Sequence, residues 1–195
     1  MGGYELGLAY EHIVVGGRFG GTDSAAYGAL NPNRLIPTIE DDPETAGDPP
    51  VVIWESNAIV RYLAARYGAG GLWPTSPAAR SAADRWMDWV HTTIGDGMRT
   101  LFWGFIRDPA NANPETMAKA TQQLADCWAR LDAHLAQHAF CGGASFTMGD
   151  IPVGCHVQRW LNFPIQRPAL PHLLAWHDRL AQRPGYRKHV MVRME

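Results

Sequence analysis

Asn31-Pro32-Asn33-Arg34-Leu35-Ile36-Pro37-Thr38-Ile39-Glu40 and, further along, Trp54-Glu55-Ser56-Asn57-Ala58-Ile59-Val60-Arg61-Tyr62-Leu63 decide how this chain is read. In the first stretch a proline opens a short apolar strand. In the second, a strand passes straight into a helix through an acidic residue and a hydroxyl. The residues between them, 41–50, are rich in Pro, Gly and Asp, so residues 35–40 and 51–54 are expected to pair as two strands across a long hairpin loop. From Ser56, the apolar residues Ile59, Val60, Leu63, Ala64 and Tyr67 keep helical spacing up to Gly68. The pattern predicts a helix packed on a small sheet.

Both stretches have chemistry to offer, and each also has a plainer reading. An X-Pro bond adopts cis at modest cost, and a cis Ile36-Pro37 would turn the N–H and C=O of Ile36 outward, where an extended peptide could pair with them. A trans proline that merely starts an edge strand fits the same residues. At the second stretch, the first amides of a helix together with the Ser56 hydroxyl form a carboxylate pocket, and Glu55 beside it suits an ammonium. Equally, Ser56 could be a helix cap and Glu55 a complement to the helix dipole.

Upstream, residues 9–15 are rich in β-formers and alternate weakly, which predicts a strand closed by Gly16-Gly17; a Gly- and Asn-rich loop follows to Asn33. Downstream of Gly68 the spacing becomes helical. One long helix is expected over about 77–106, with Trp86, Trp89, Val90 and Leu101 on its apolar face and Gly95 and Gly97 able to bend it. A second should start with Asn113 as cap and Pro114 at its first position and run to about Gln137. In Phe146-Thr147-Met148-Gly149-Asp150-Ile151, Thr147 and Asp150 can cap one another's amides and Phe146 can staple to Ile151, which starts a third helix. A last helix is expected over 171–182, ending ahead of Pro184-Gly185.

Composition narrows the function. Lys and Arg total 17 against 19 Asp and Glu without a basic run, so a nucleic-acid partner is not expected. The richest apolar stretch, 51–67, is interrupted by Glu55, Arg61 and Arg66, so no membrane span is expected. Met1-Gly2-Gly3-Tyr4-Glu5 has neither a secretory nor a transit pattern, which predicts a cytoplasmic protein. Cys127, Cys141 and Cys155 form no CxxC pair and read as buried apolar side chains. His134 and His138 stand one helical turn apart, but no third ligand accompanies them, and no metal is expected. Trp86, Trp89, Trp103 and Trp160 read either as core or as the wall of an apolar co-substrate site.

Taken in order, Asn31-Pro32 to Pro37, Glu55-Ser56-Asn57-Ala58-Ile59 with Tyr62-Leu63, and Phe146-Thr147-Met148-Gly149-Asp150-Ile151 resemble the glutathione transferase family, over nearly the whole chain. The resemblance implies an α/β thioredoxin-like domain over 1–69, a linker over 70–77 and an all-helical domain over 78–195 in which Thr147 and Asp150 form a structural capping box. It implies a cis proline, Ile36 and Pro37 against the cysteinyl backbone of glutathione, and Glu55 and Ser56 on its γ-glutamyl end. Leu35 stands where several classes carry a polar residue for the glycine carboxylate, a contact Arg34 could supply instead. Residues 5–11 resemble the end of the family's first helix and its second strand. The first strand and most of the first helix, which hold the family's catalytic Ser, Tyr or Cys, are therefore expected to be missing, and no catalytic residue can be assigned; Tyr4 falls within the helix, away from its mouth. The implied activity is conjugation of glutathione, as co-substrate, to a small apolar electrophile by a homodimer. The alternative is a non-catalytic binding or interaction protein on the same scaffold.

Overall fold

The computed structural model describes residues 1–194; Glu195, the last residue of the expected helical domain, lies outside them. In chain order the elements are α1 (Gly2–Glu5), a 3-10 turn (Gly17–Phe19), α2 (Ala25–Leu30), β1 (Thr38–Asp41), β2 (Val51–Trp54) and α3 (Ser56–Tyr67). Then follow α4 (Pro77–Trp89), α5 (Gly95–Phe102), α6 (Pro114–Leu135), α7 (Asp150–Asn162), α8 (Pro171–Ala181) and α9 (Pro184–His189).

β1 and β2 pair antiparallel, with Thr38 opposite Trp54 and Ile39 opposite Ile53. Two strands alone are marginal in water, and α3 supplies the support. Arg66 of α3 donates to the Asp41 carboxylate and the Asp42 carbonyl, and the Tyr67 hydroxyl donates to Asp41 at 2.8 Å.

The strand expected over residues 9–15 does not form. Among the described residues the sheet has only β1 and β2, and no backbone hydrogen bond reaches residues 9–15. Alternation favours an extended chain, but a strand exists only where a neighbour completes its ladder. Tyr10, Ile13 and Val14 are left exposed.

The helical part follows the sequence more closely. Ser76 accepts from the Ala79 amide at 3.1 Å with Pro77 at the first position, and Asn113 does the same for Thr116 at 2.9 Å ahead of Pro114. The long helix expected over 77–106 is continuous, but π turns at Val90–Ile94 and Trp103–Arg107 interrupt its α geometry; Gly95 directly follows the first. A further departure lies at Pro184-Gly185, which ends α8 but opens the short α9, proline being at home in a first helical turn.

Trp128, Trp160 and Trp176 are wholly buried, with Leu101, Leu124, Leu131 and Leu173 around them. Each such side chain contributes roughly 1.5 to 3 kcal/mol by leaving water. Asp150 sits fully buried in this core. Its carboxylate accepts from the amides of Cys141 (2.8 Å) and Thr147 (2.9 Å), the Trp176 indole (3.0 Å) and the Thr147 hydroxyl (3.2 Å). Only one arm of the expected capping box is therefore made: the Thr147 hydroxyl donates to Asp150 instead of accepting its amide, because a buried carboxylate needs donors more than the helix needs a second cap. Gly149 lets α7 approach α4 closely, since a Cβ there would lie 2.4 Å from the Ala83 carbonyl. α1 packs on α9, where Arg183 Nε donates to Glu5 at 3.0 Å and the Tyr4 ring meets His189 edge-on.

On α7, burial lowers the pKa of His156 to about 4, helped by Arg159 and His91, and its Nδ1 has no hydrogen-bond partner among the described residues. An unfolded histidine takes up its proton near 6.5. The folded ring thus stays neutral between these values, and stability, complete above pH 6.5, falls as pH drops towards 4. Urea unfolding should show a loss on the order of 2 kcal/mol across that window from this residue, and His156→Gln should flatten the slope.

Candidate functional site

The site begins with a buried asparagine. Asn31, at the end of α2, is only 2% exposed. Its Nδ2 donates to the Leu35 carbonyl at 2.8 Å and to Thr38 Oγ1 at 3.1 Å, while its Oδ1 accepts the Asn33 amide at 3.0 Å. The Tyr27 hydroxyl donates to the same Leu35 carbonyl at 2.7 Å. The loop is thereby pinned from behind at Leu35. Pro37 has no N–H, and the Ile36-Pro37 bond is cis. Among the described residues no hydrogen bond uses the N–H or the C=O of Ile36, so an unused donor and acceptor sit together on an exposed residue.

The second half is the start of α3. Glu55 precedes the helix with φ 71° and ψ 118°, a conformation L-residues rarely hold. Ser56 is consequently the first helical residue and not its cap. The Glu55 carboxylate and the Ser56 hydroxyl are exposed, and the first amides of α3 have no partner within the helix. Next to them Asn57 is buried and donates to the Met87 carbonyl of α4 at 2.7 Å.

The hairpin register brings the halves together. Because Thr38 stands opposite Trp54, Pro37 and Glu55 leave the sheet side by side at one end. There the chain offers a peptide-like donor and acceptor beside a carboxylate, a hydroxyl and free helix amides. This combination suits a small molecule with an extended amide backbone and a zwitterionic amino-acid end.

Arg34 lies at the margin. With φ 55°, it turns its Nη1 back to the Thr22 and Ser24 carbonyls, both at 3.1 Å. The guanidinium passes over Gly28, where a Cβ would lie 2.7 Å from Nη2. Thr147 and Asp150 belong to the helical core. Trp86, Trp89 and Trp160 also pack in or against that core, whereas Trp103 is exposed beside Thr100, Asp108 and Met117. The His134 and His138 rings stack 4.2 Å apart and bond to the Cys141 and His134 carbonyls. Cys127 and Cys141 are buried, and burial raises the pKa of both thiols. Sequence reading did not single out Asn31, Tyr27 or Asn57 as supports, because a buried amide has no periodicity; proximity to the proline and to Ser56 was the only signal.

A family model described as "Glutathione S-transferase, N-terminal domain" matches residues 3–66, and one for the C-terminal domain matches residues 114–179. Glutathione S-transferase GstB of Escherichia coli is 38% identical over 189 residues, 96% of this chain and 88% of that protein. Glutathione S-transferase 3 of Zea mays is 30% identical, over 95% of this chain and 84% of its own. Among solved structures, the theta class glutathione S-transferase of Xanthomonas axonopodis pv. citri with glutathione bound superposes with a TM-score of 0.91 at 47% identity, covering 100% of this chain and 90% of that one.

Two outcomes follow from the local geometry. Asn31→Ala strands the Asn33 amide and withdraws a donor from the Leu35 carbonyl, and should lower unfolding free energy by about 2 kcal/mol in urea. At position 55, Glu55→Gly should be more stable than Glu55→Ala by about 1 kcal/mol, since only glycine holds that φ without strain.

Proposed function

The chain belongs to the glutathione S-transferase family, and from that premise we propose that it binds glutathione at Ile36, Pro37, Glu55 and Ser56 and conjugates its sulfur to a small apolar electrophile. The observation that carries the reading is the register of Thr38 against Trp54, which sets the free Ile36 backbone groups beside the Glu55-Ser56 corner.

In this reading the Ile36 N–H donates to, and its C=O accepts from, the cysteinyl residue of glutathione, which lies antiparallel to the chain like an added strand. The Glu55 carboxylate takes the γ-glutamyl ammonium. Ser56 Oγ and the first α3 amides donate to the γ-glutamyl carboxylate, where the helix dipole also favours negative charge. Arg34 keeps Nη2 for the glycine carboxylate while Nη1 holds the Thr22–Ser24 turn. The thiol gives its proton to solvent, the thiolate attacks the electrophile's carbon, a C–S bond forms, and in a substitution the halide leaves with the bonding pair. Fixed orientation and a larger thiolate fraction supply the rate. The protein acts in the cytoplasm as a homodimer, needs no metal, and holds the electrophile on the side of the helical part.

Retention on glutathione resin and conjugation of a chromogenic aryl halide test the reading. Wild type should be retained and should turn over. Ser56→Ala should raise KM for glutathione about tenfold, the worth of one charge-assisted hydrogen bond, with a smaller change in kcat. Retention without turnover would instead favour a binding protein on this scaffold. A protein that is neither retained nor turns over would overturn the glutathione reading altogether.

A further inference from the structure

Asn57 is the buried polar side chain of the first α3 turn, 5% exposed, with Ile59 buried beyond it. Its amide donates at 2.7 Å to the carbonyl of Met87, a fully buried residue of α4. That carbonyl lies just ahead of the π turn at Val90–Ile94. The next carbonyl along, Asp88, accepts a second side-chain donor, the Thr92 hydroxyl at 3.1 Å. Two consecutive helix carbonyls are thus met by side chains where the helix widens. Side-chain insertion of this kind is what bends or loosens an α ladder, and π turns gather at functional sites. On the outer surface, Arg61 bonds Asp84 and Asp88 of α4, but this pair is partly solvated and of small worth. The buried hydrogen bond between the two helices at this level is the one from the Asn57 amide, beside the apolar packing of Ala64 on Met87.

We infer that Asn57 is a positioning residue: it fixes the first turn of α3, and with it Ser56 and Glu55, against the π turn of the long helix, so that glutathione binding and the geometry of residues 87–94 are coupled. This rests on the glutathione reading above. Ser56 is the immediate neighbour of Asn57 and its donor must meet a carboxylate within a few tenths of an ångström, so rotation of the first turn is felt at the ligand before it is felt by the fold. Asn57 itself touches no substrate in this scheme.

The test pairs kinetics with hydrogen exchange. Asn57→Ala should raise KM for glutathione about tenfold, the scale of a small misplacement of a binding group, with kcat and KM for the aryl halide within about twofold. Arg61→Ala, which breaks the outer ion pairs only, should leave KM for glutathione within about twofold. In the wild-type protein, saturating glutathione should slow amide exchange at residues 87–94 as well as at 56–59. A lowered melting temperature in Asn57→Ala with unchanged KM would make the residue merely structural and overturn the inference. If Asn57→Ala does not fold, the wild-type exchange decides: protection confined to 56–59 overturns it. Wild type that shows no glutathione binding removes the underlying reading, and the inference with it, an outcome distinct from the other two.

Discussion

One buried carboxylate organises the molecule. Asp150 has no solvent, and without its donors it would carry an uncompensated charge in the core. It collects amides from the loop before α7 and the indole of α8, and so fixes how the loop over 141–149 crosses the helices. That loop in turn reaches the connecting segment, where the Met148 amide donates to the Leu72 carbonyl at 3.1 Å. Met148, Leu72, Ala64, Ala83 and Met87 then pack in one apolar cluster, which seats α3 on α4. The candidate site, although far along this chain of contacts from Asp150, inherits its position from it.

The proposed site draws on backbone as well as side chains: in that reading Ile36 contributes an N–H and a C=O and α3 its first amides, with side-chain groups from Glu55, Ser56 and Arg34. Rigid supports sit underneath these groups: Asn31 and Tyr27 behind Leu35, and Asn57 behind Ser56. Backbone groups cost no rotamer entropy on binding, so a modest number of them can hold a small flexible peptide. Glu55 shows the other side of the arrangement, a backbone held at positive φ next to the exposed carboxylate.

The small sheet contrasts with this. β1 and β2 depend on Asp41, Arg66 and Tyr67 for attachment to α3, and residues 9–15 run beside the fold without a ladder. Extended apolar residues without a partner strand, Tyr10, Ile13 and Val14 among them, gain little from burial. The helical part, with its buried tryptophans, holds the larger share of the core.

Local signals were legible in the residues themselves. Asn113-Pro114 announces a helix start because capping is a contact between near neighbours, and the apolar spacing of 56–67 and 114–135 needs no knowledge of the partner surface. The motif around Pro37 and Ser56 was enough to point to glutathione transferases, and the matching family models agree. Three things required the folded chain. Residues 9–15 could be recognised as extended but not as unpaired, since a ladder depends on another segment. The two arms of the Thr147-Asp150 box looked equivalent until the Cys141 amide and the Trp176 indole, distant in sequence, claimed the carboxylate. The two halves of the candidate site meet only because the strand register sets Pro37 beside Glu55, and the bonds of Asn31 and Asn57 to Leu35 and Met87 are buried and long-range or local without periodicity. Sequence by itself determined the short-range physics of caps, periods and turns; tertiary structure decided every feature that needs a partner far along the chain, because desolvation and hydrogen-bond completion are settled only when that partner arrives.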